Sequence, residues 1–201
     1  MFASRKLLIG LMGLGVCSLS YAYPGNFSPD TNFYVGVQGG YANTHYTKSW
    51  LLKKSGFDSV SSVKNKGVAG RALLGYDFTK YVGAEAGYLW LSPIKFKNIN
   101  GTTDKDMQQR IADVVGKLSL PLGDWFSFYG DAGAGYVMRS HINVSSTAKY
   151  DPEHRYVPVA GAGVACWLGY GFNTTLSVNH YFATGNFKAT DFAALGLNYK
   201  F

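Results

Sequence analysis

The chain has 201 residues, a formal net charge of +7, 47% hydrophobic and 16% aromatic residues, and 25 glycines. Tyr, Phe, Trp and Val spread along its whole length exclude a disordered chain, and the lack of any run of 18 or more apolar residues excludes a helical membrane protein. The membrane option left open is a closed barrel of strands, in which every backbone polar group is paired.

The first element is a signal sequence. Arg5 and Lys6 precede an apolar run, Leu7 to Val16, and Ser20-Tyr21-Ala22 places small residues at the first and third positions before a cut. A run of about ten residues is too short for a spanning helix. Cleavage after Ala22 is expected, dividing the chain into a signal peptide, 1–22, and one domain, 23–201. Lipoprotein processing at Cys17 is disfavoured by bulky Val16 in front of it. Cleavage removes Arg5 and Lys6, lowers the charge to +5, and leaves Cys166 as the one cysteine of the processed chain. No internal disulfide or structural metal site is then expected.

Eight segments alternate with period two, the mark of half-buried strands. They are expected over Asn32–Ala42, Gly67–Phe78, Tyr81–Leu91, about Gln109–Leu120, Trp125–Arg139, Tyr156–Leu168, Phe172–Ala183 and about Thr190–Phe201. One face of each carries Val, Leu, Phe, Tyr or Trp; the other carries Gly, Ser, Asn and single charges. A soluble sandwich or lipocalin-like barrel would turn the large apolar face inward. Here the small polar face suits a narrow wet interior, and aromatics near the strand ends resemble the girdles of a membrane barrel.

The connections agree. Thr79–Lys80, Pro121–Asp124 and about Gly169–Gly171 are short, whereas Asn43–Lys66, Ser92–Gln108, Ser140–Arg155 and Thr184–Ala189 are longer and polar. Short and long alternate strictly, so an up-and-down barrel puts all short turns on one side, the periplasmic one. The expected fold is all-β: an eight-stranded antiparallel up-and-down transmembrane barrel.

The stretch "GVAGRALLGYDFTKYVGAEAGYLWLS", Gly67 to Ser92, resembles the transmembrane domain of the outer-membrane protein A family, through Gly75, Tyr76, Tyr81, Val82, Gly83, Glu85, Gly87, Tyr88, Trp90 and Leu91. "FYVGVQGGY", "GKLSLPL" and the terminal "LGLNYKF" extend the likeness over the chain from 23 on. The resemblance implies the bacterial outer membrane, with single-domain relatives among the opacity-type surface proteins, associated with adhesion and host contact. Many members carry a peptidoglycan-binding domain after the barrel; this sequence stops at strand eight, so cell-wall anchoring is not carried over. Gly196, Tyr199 and Phe201 resemble the terminal signal read by the barrel-assembly machinery, with Ala194 where a polar residue is usual.

The inward pattern collects Arg71, Glu85, Asp113, Lys117 and Asp131 at similar depth. Unpaired charges in a narrow lumen are costly, so pairs are expected between Arg71 and Glu85, and between Lys117 and either Glu85 or Asp131. The resemblance makes Glu85 and Lys117 counterparts of an interior charge cluster. It also implies an interior arginine on strand seven and an acid on strand six, where this chain has Ser177 and Ala165; Arg71 is then the substitute arginine. The cluster reads as a plug that fills and orders the lumen, or else as a gate for small ions in a weak pore.

A lipid A-modifying enzyme would need an activated serine, a histidine base and an orienting acid. His45, His141 and His154 fall in loops, and His180 on strand seven faces outward near the outer leaflet. "NHYFATGN" offers neither a serine after the histidine nor a convincing acid, so no catalytic residue is assigned. Loop one holds Lys48, Lys53, Lys54, Lys64 and Lys66 against Asp58, a net of +4, with Trp50 and Phe57 among them. Such a loop suits lipopolysaccharide phosphates, acidic host glycans or a protein partner; a loop merely solvated against the anionic leaflet is the plain alternative. No cofactor and no nucleic-acid motif is found. The sequence thus describes a structural or surface-interacting barrel whose partners are outer-membrane lipid and lipopolysaccharide, the assembly machinery and host surface molecules.

Overall fold

The computed structural model describes residues 32–46, 60–99, 103–139, 142–145, 148–150, 153–185 and 187–201. The signal segment 1–22 and the loop-one residues Lys48, Trp50, Lys53, Lys54 and Phe57 lie outside these.

Eight strands close into one barrel: β1 (Phe33–Thr44), β2 (Lys66–Asp77), β3 (Val82–Leu91), β4 (Gln109–Leu122), β5 (Phe126–Arg139), β6 (Glu153–Gly169), β7 (Phe172–Tyr181) and β8 (Thr190–Lys200). Each pairs antiparallel with its sequence neighbours, and β8 returns to β1 with Tyr34 opposite Lys200 and Thr44 opposite Thr190. Phe201 N donates to Phe33 O at 3.1 Å, extending the closing seam past the last strand residue. No sheet edge remains unpaired in the barrel, as a bilayer requires.

The outward face carries an apolar band around its middle. Val37, Val68, Val114 and Leu118 are each more than 60% exposed, which a water-soluble sandwich would not tolerate as a continuous band. Among the described residues no helix is long and apolar enough to cross a membrane; the crossing is made by strands. Aromatic pairs flank the band at both ends. Phe33, Tyr76 and Phe78 stack edge-to-face at the periplasmic end, as do Tyr199 and Phe201; Tyr88 with Trp90, and Tyr136 with Tyr156, lie toward the other end. Such rings sit where an apolar body and a polar edge are both solvated.

Several boundaries differ from the sequence expectation. Strand β6 begins at Glu153, so Arg155 belongs to the barrel wall and the third loop is shorter. Strand β4 runs on through Pro121 to Leu122, because the missing N–H of a proline is tolerated near a strand end. The loops also contain strands. Val60–Lys64, Ile94–Ile99 and Thr103–Met107 form a three-stranded sheet, and Ile142–Ser145 pairs with Ala148–Tyr150. "VSSVK" and "IKFKNI" hold the β-branched and aromatic residues that favour this.

Candidate functional site

The lumen has two storeys. The lower, toward the short turns, is polar. The upper is largely apolar, built from Leu89, Ile111, Val137, Val159, Tyr181 and Phe192 with smaller neighbours, and Gln109 and Arg139 are buried at its end. From the fourth long connection Phe187 turns inward and is 1% exposed, its ring 4.8 Å from the Arg139 guanidinium carbon. A two-residue bridge between Thr184 and Phe187 holds that inward turn.

The lower storey contains the five charged residues of the sequence reading; a further inward charge, Arg139, is buried near the opposite end of the lumen. Arg71, Glu85, Asp113 and Asp131 are buried and Lys117 is nearly so. Alternate positions on β2, β3, β4 and β5 deliver them, since side chains of one parity share one face. The Arg71 guanidinium grips the Asp113 carboxylate with Nη2 on Oδ1 and Nε 3.2 Å from Oδ2. Its Nη1 donates to Gln38 Oε1 at 3.3 Å and lies 3.5 Å from Glu85 Oε2. A fork of this kind suits a planar carboxylate.

Glu85 is the second centre. Its Oε1 accepts from Lys117 Nζ at 3.0 Å and from the Tyr34 hydroxyl at 2.7 Å. Lys117 Nζ also donates to Tyr34 Oη at 3.1 Å and stands 4.9 Å from the ring centres of Tyr34 and Tyr129. The Tyr181 hydroxyl donates to Asp113 Oδ2 at 3.0 Å, tying the apolar storey to the charges below.

These pairings depart in part from the sequence reading. Arg71 has Asp113 as its main partner, with Glu85 at the limit of contact. Lys117 is on Glu85, one of its two expected partners, and Asp131 is held by the Asn179 amide at 3.1 Å. Ser177 is buried on β7. Of the terminal residues, Gly196 packs inward against Thr175 and Gln38, and Phe201 is half exposed beside Tyr199.

A second polar constellation lies on the outside of the barrel. His180 does have an acid partner, contrary to the sequence reading: its Nδ1 is 2.5 Å from Asp191 Oδ1. The other oxygen, Oδ2, lies 2.6 Å from His45 Nε2. Asp191 is outward on β8, in register with His180 of β7 and Asn43 of β1. The register of the closing seam was the signal that could have found it. Among the described residues no hydroxyl or thiol is hydrogen-bonded to either imidazole, and no three His, Cys, Asp or Glu side chains are placed to hold a metal ion.

A closed eight-stranded barrel with an apolar exterior, aromatic girdles and a filled lumen is a small bacterial outer-membrane β-barrel protein. Residues 28–201 match the OmpA-like transmembrane domain, and the chain belongs to that family. It is 24% identical to an uncharacterized protein of Coxiella burnetii, over 99% of this chain and 96% of the relative. Outer membrane protein A of Serratia marcescens is 28% identical over 94% of this chain, which spans 55% of the Serratia protein. Among solved structures, Neisserial surface protein A superposes with a TM-score of 0.61 at 13% identity, covering 85% of this chain and 98% of that one. Ail of Yersinia pestis, in complex with the heparin analogue sucrose octasulfate, gives 0.50 at 16% identity, over 85% and 99%. At such identities these two structures speak for the fold.

Proposed function

We propose that this barrel acts by presenting its extracellular loops, with its lumen shut and no chemical turnover. The observation that carries this reading is the filled interior: a cross-linked charge layer lies below an apolar layer closed over by Phe187. Eight-stranded barrels have an interior just wide enough for side chains, so the surface available for a role is outside it.

Loop one is the foremost candidate, through Lys48, Trp50, Lys53, Lys54 and Phe57. Cations beside aromatics suit phosphorylated lipopolysaccharide or sulfated and acidic host glycans. The Ail complex with a heparin analogue supports a polyanion as ligand for a barrel of this shape. In this reading residues 1–22 direct export, the assembly machinery recognises Gly196, Tyr199 and Phe201, and no cofactor, metal or nucleic acid takes part. Deleting Lys48–Lys64 and measuring binding to lipopolysaccharide and to heparin tests it. Binding should fall to background; unchanged binding of both removes loop one as the site.

A weak gated pore is the second reading. It is favoured by the position of Glu85, 3.0 Å from Lys117 and 3.5 Å from Arg71, between two cations that can trade it. A lipid A-modifying enzyme comes third: Asp191 supplies an orienting acid for His180, but among the described residues no nucleophile is hydrogen-bonded to that histidine. Mass spectrometry of lipid A from cells with and without the protein tests that reading.

A further inference from the structure

The His45–Asp191–His180 cluster lies outside the lumen and outside the loop-one residues Lys48–Phe57 proposed above. Its three side chains are 48%, 41% and 39% exposed in that order. It crosses the seam that closes the barrel, with one imidazole on each side of the β8 carboxylate. Its height follows from strand geometry. Asp191 and Phe201 face the same way on β8 and are ten residues apart, about 33 Å along the strand and about 25 Å along the barrel axis at the usual tilt. That distance matches the height of the apolar band of a membrane barrel. Directly below lie Tyr41, Val178 and Leu195, all about half exposed to lipid. The cluster therefore stands at the headgroup level of the outer leaflet.

Its chemistry can change sign. A carboxylate only accepts, so the ring nitrogens facing it, His45 Nε2 and His180 Nδ1, carry protons. With both imidazoles neutral the cluster bears the single negative charge of Asp191. With both protonated it bears one net positive charge, and His45 Nδ1–H and His180 Nε2–H become two charged donors directed away from Asp191.

Among the described residues, the charged neighbours are cations. On β1, Asn43 Nδ2 is 3.4 Å from His45 Nε2, and on β2 the exposed Lys66 is in register with Asn43. Strand β6 presents uncharged Ala160 opposite His180, the Phe182 ring packs edge-on to the His180 ring, and Lys188 lies three residues before Asp191.

We infer that His45, Asp191 and His180, with Lys66 beside them, form a pH-dependent binding site for the phosphate of an outer-leaflet glycolipid headgroup. In the neutral state Asp191 opposes the phosphate. In the protonated state the two imidazolium groups bind it from either side of the seam, and Asp191 keeps both rings in place.

Purified full-length protein in dodecyl maltoside, which contains no phosphate, is titrated at pH 5.5 and 7.5 with diphosphorylated lipid A, its dephosphorylated form and inorganic phosphate. Wild type should bind diphosphorylated lipid A about tenfold more tightly at pH 5.5, the size expected of two exposed charge-assisted pairs. A phosphate monoester itself titrates near pH 6, in the opposing sense, so the His45→Gln/His180→Gln variant is the reference and should lose the gain. Asp191→Asn should tighten binding at pH 7.5 by removing the opposing charge. Dephosphorylated lipid should show no pH dependence, and inorganic phosphate should bind more weakly than the lipid. A wild-type ratio near one, the same ratio in the double variant, or equal binding of dephosphorylated lipid overturns the inference. Heat-dependent gel migration verifies that each variant is folded. The segment Lys48–Lys64 is intact in every arm, so the outcome is independent of the loop deletion.

Discussion

Arg71 reaches across a whole strand to Asp113. Arg71 is on β2 and Asp113 on β4, and the intervening position on β3 is Gly87. A Cβ placed on Gly87 would lie 2.4 Å from Arg71 Nε. Neighbouring strands are about 4.8 Å apart, so an arginine can span two of them if nothing stands between. The bare backbone at Gly87 thus lets the lumen hold a fork-type ion pair that adjacent strands alone would not produce.

Breaking that pair should be far more costly than removing it. Asp113→Ala leaves the guanidinium with Gln38 and a distant Glu85, and also strips Tyr181 of its acceptor. A loss of about 3–5 kcal/mol is expected for a buried charge deprived of its partner. Replacing both members, Arg71→Met with Asp113→Leu, should recover most of it. Urea unfolding of the barrel in lipid vesicles, followed by tryptophan fluorescence, measures both. A double variant as unstable as Asp113→Ala would contradict the account.

Conductance separates plug from gate. Glu85→Ala and Lys117→Ala should each stay at the wild-type level in planar bilayers, because the apolar storey above the charges is untouched. The same variants should lose stability, Lys117→Ala by leaving the Glu85 carboxylate on Tyr34 and a 3.5 Å arginine contact. Higher conductance in either variant favours the gated pore.

The strands were legible because two neighbouring residues differ so plainly, as in Leu195-Gly196 or Val82-Gly83, where the pleat sends one to lipid and one to the lumen. The partners of the polar residues were less so. Glu85 looks like the mate of Arg71 because β2 and β3 are adjacent, yet the longer reach over Gly87 decides for Asp113. Lys117 and Asp131 are in direct register, but the lysine turns to Glu85 and Tyr34 and leaves Asp131 to Asn179. His45 and Asp191, 146 residues apart, meet only because the barrel closes. Periodicity reports which face a residue is on; side-chain length and open backbone decide whom it meets.

Phe187 should act as a structural lid. Phe187→Ala removes a fully buried ring and its contact with Arg139, so a loss of about 3–5 kcal/mol is expected. Thermal unfolding by circular dichroism checks it. A change under about 1 kcal/mol would mean the connection repacks and that Phe187 does not hold the mouth shut.

Two adjacent glycines at the closing seam should behave oppositely. A Cβ on Gly40 would lie 2.0 Å from the Ala193 carbonyl oxygen and 2.6 Å from Ala194 Cα, both backbone of β8. Backbone in a closed barrel cannot step aside as a side chain can, so Gly40→Ala has to push β1 from β8. At Gly39, facing the other way, nothing lies within 4 Å. Gly40→Ala should cost about 1–3 kcal/mol or more by overpacking. Gly39→Ala should be neutral or stabilise by up to about 1 kcal/mol, by restricting the unfolded chain. Refolding yield and urea midpoint of the two variants, measured side by side in the same vesicles, give the comparison. Equal effects would mean that the close approach of β1 to β8 at Gly40 does not set the seam.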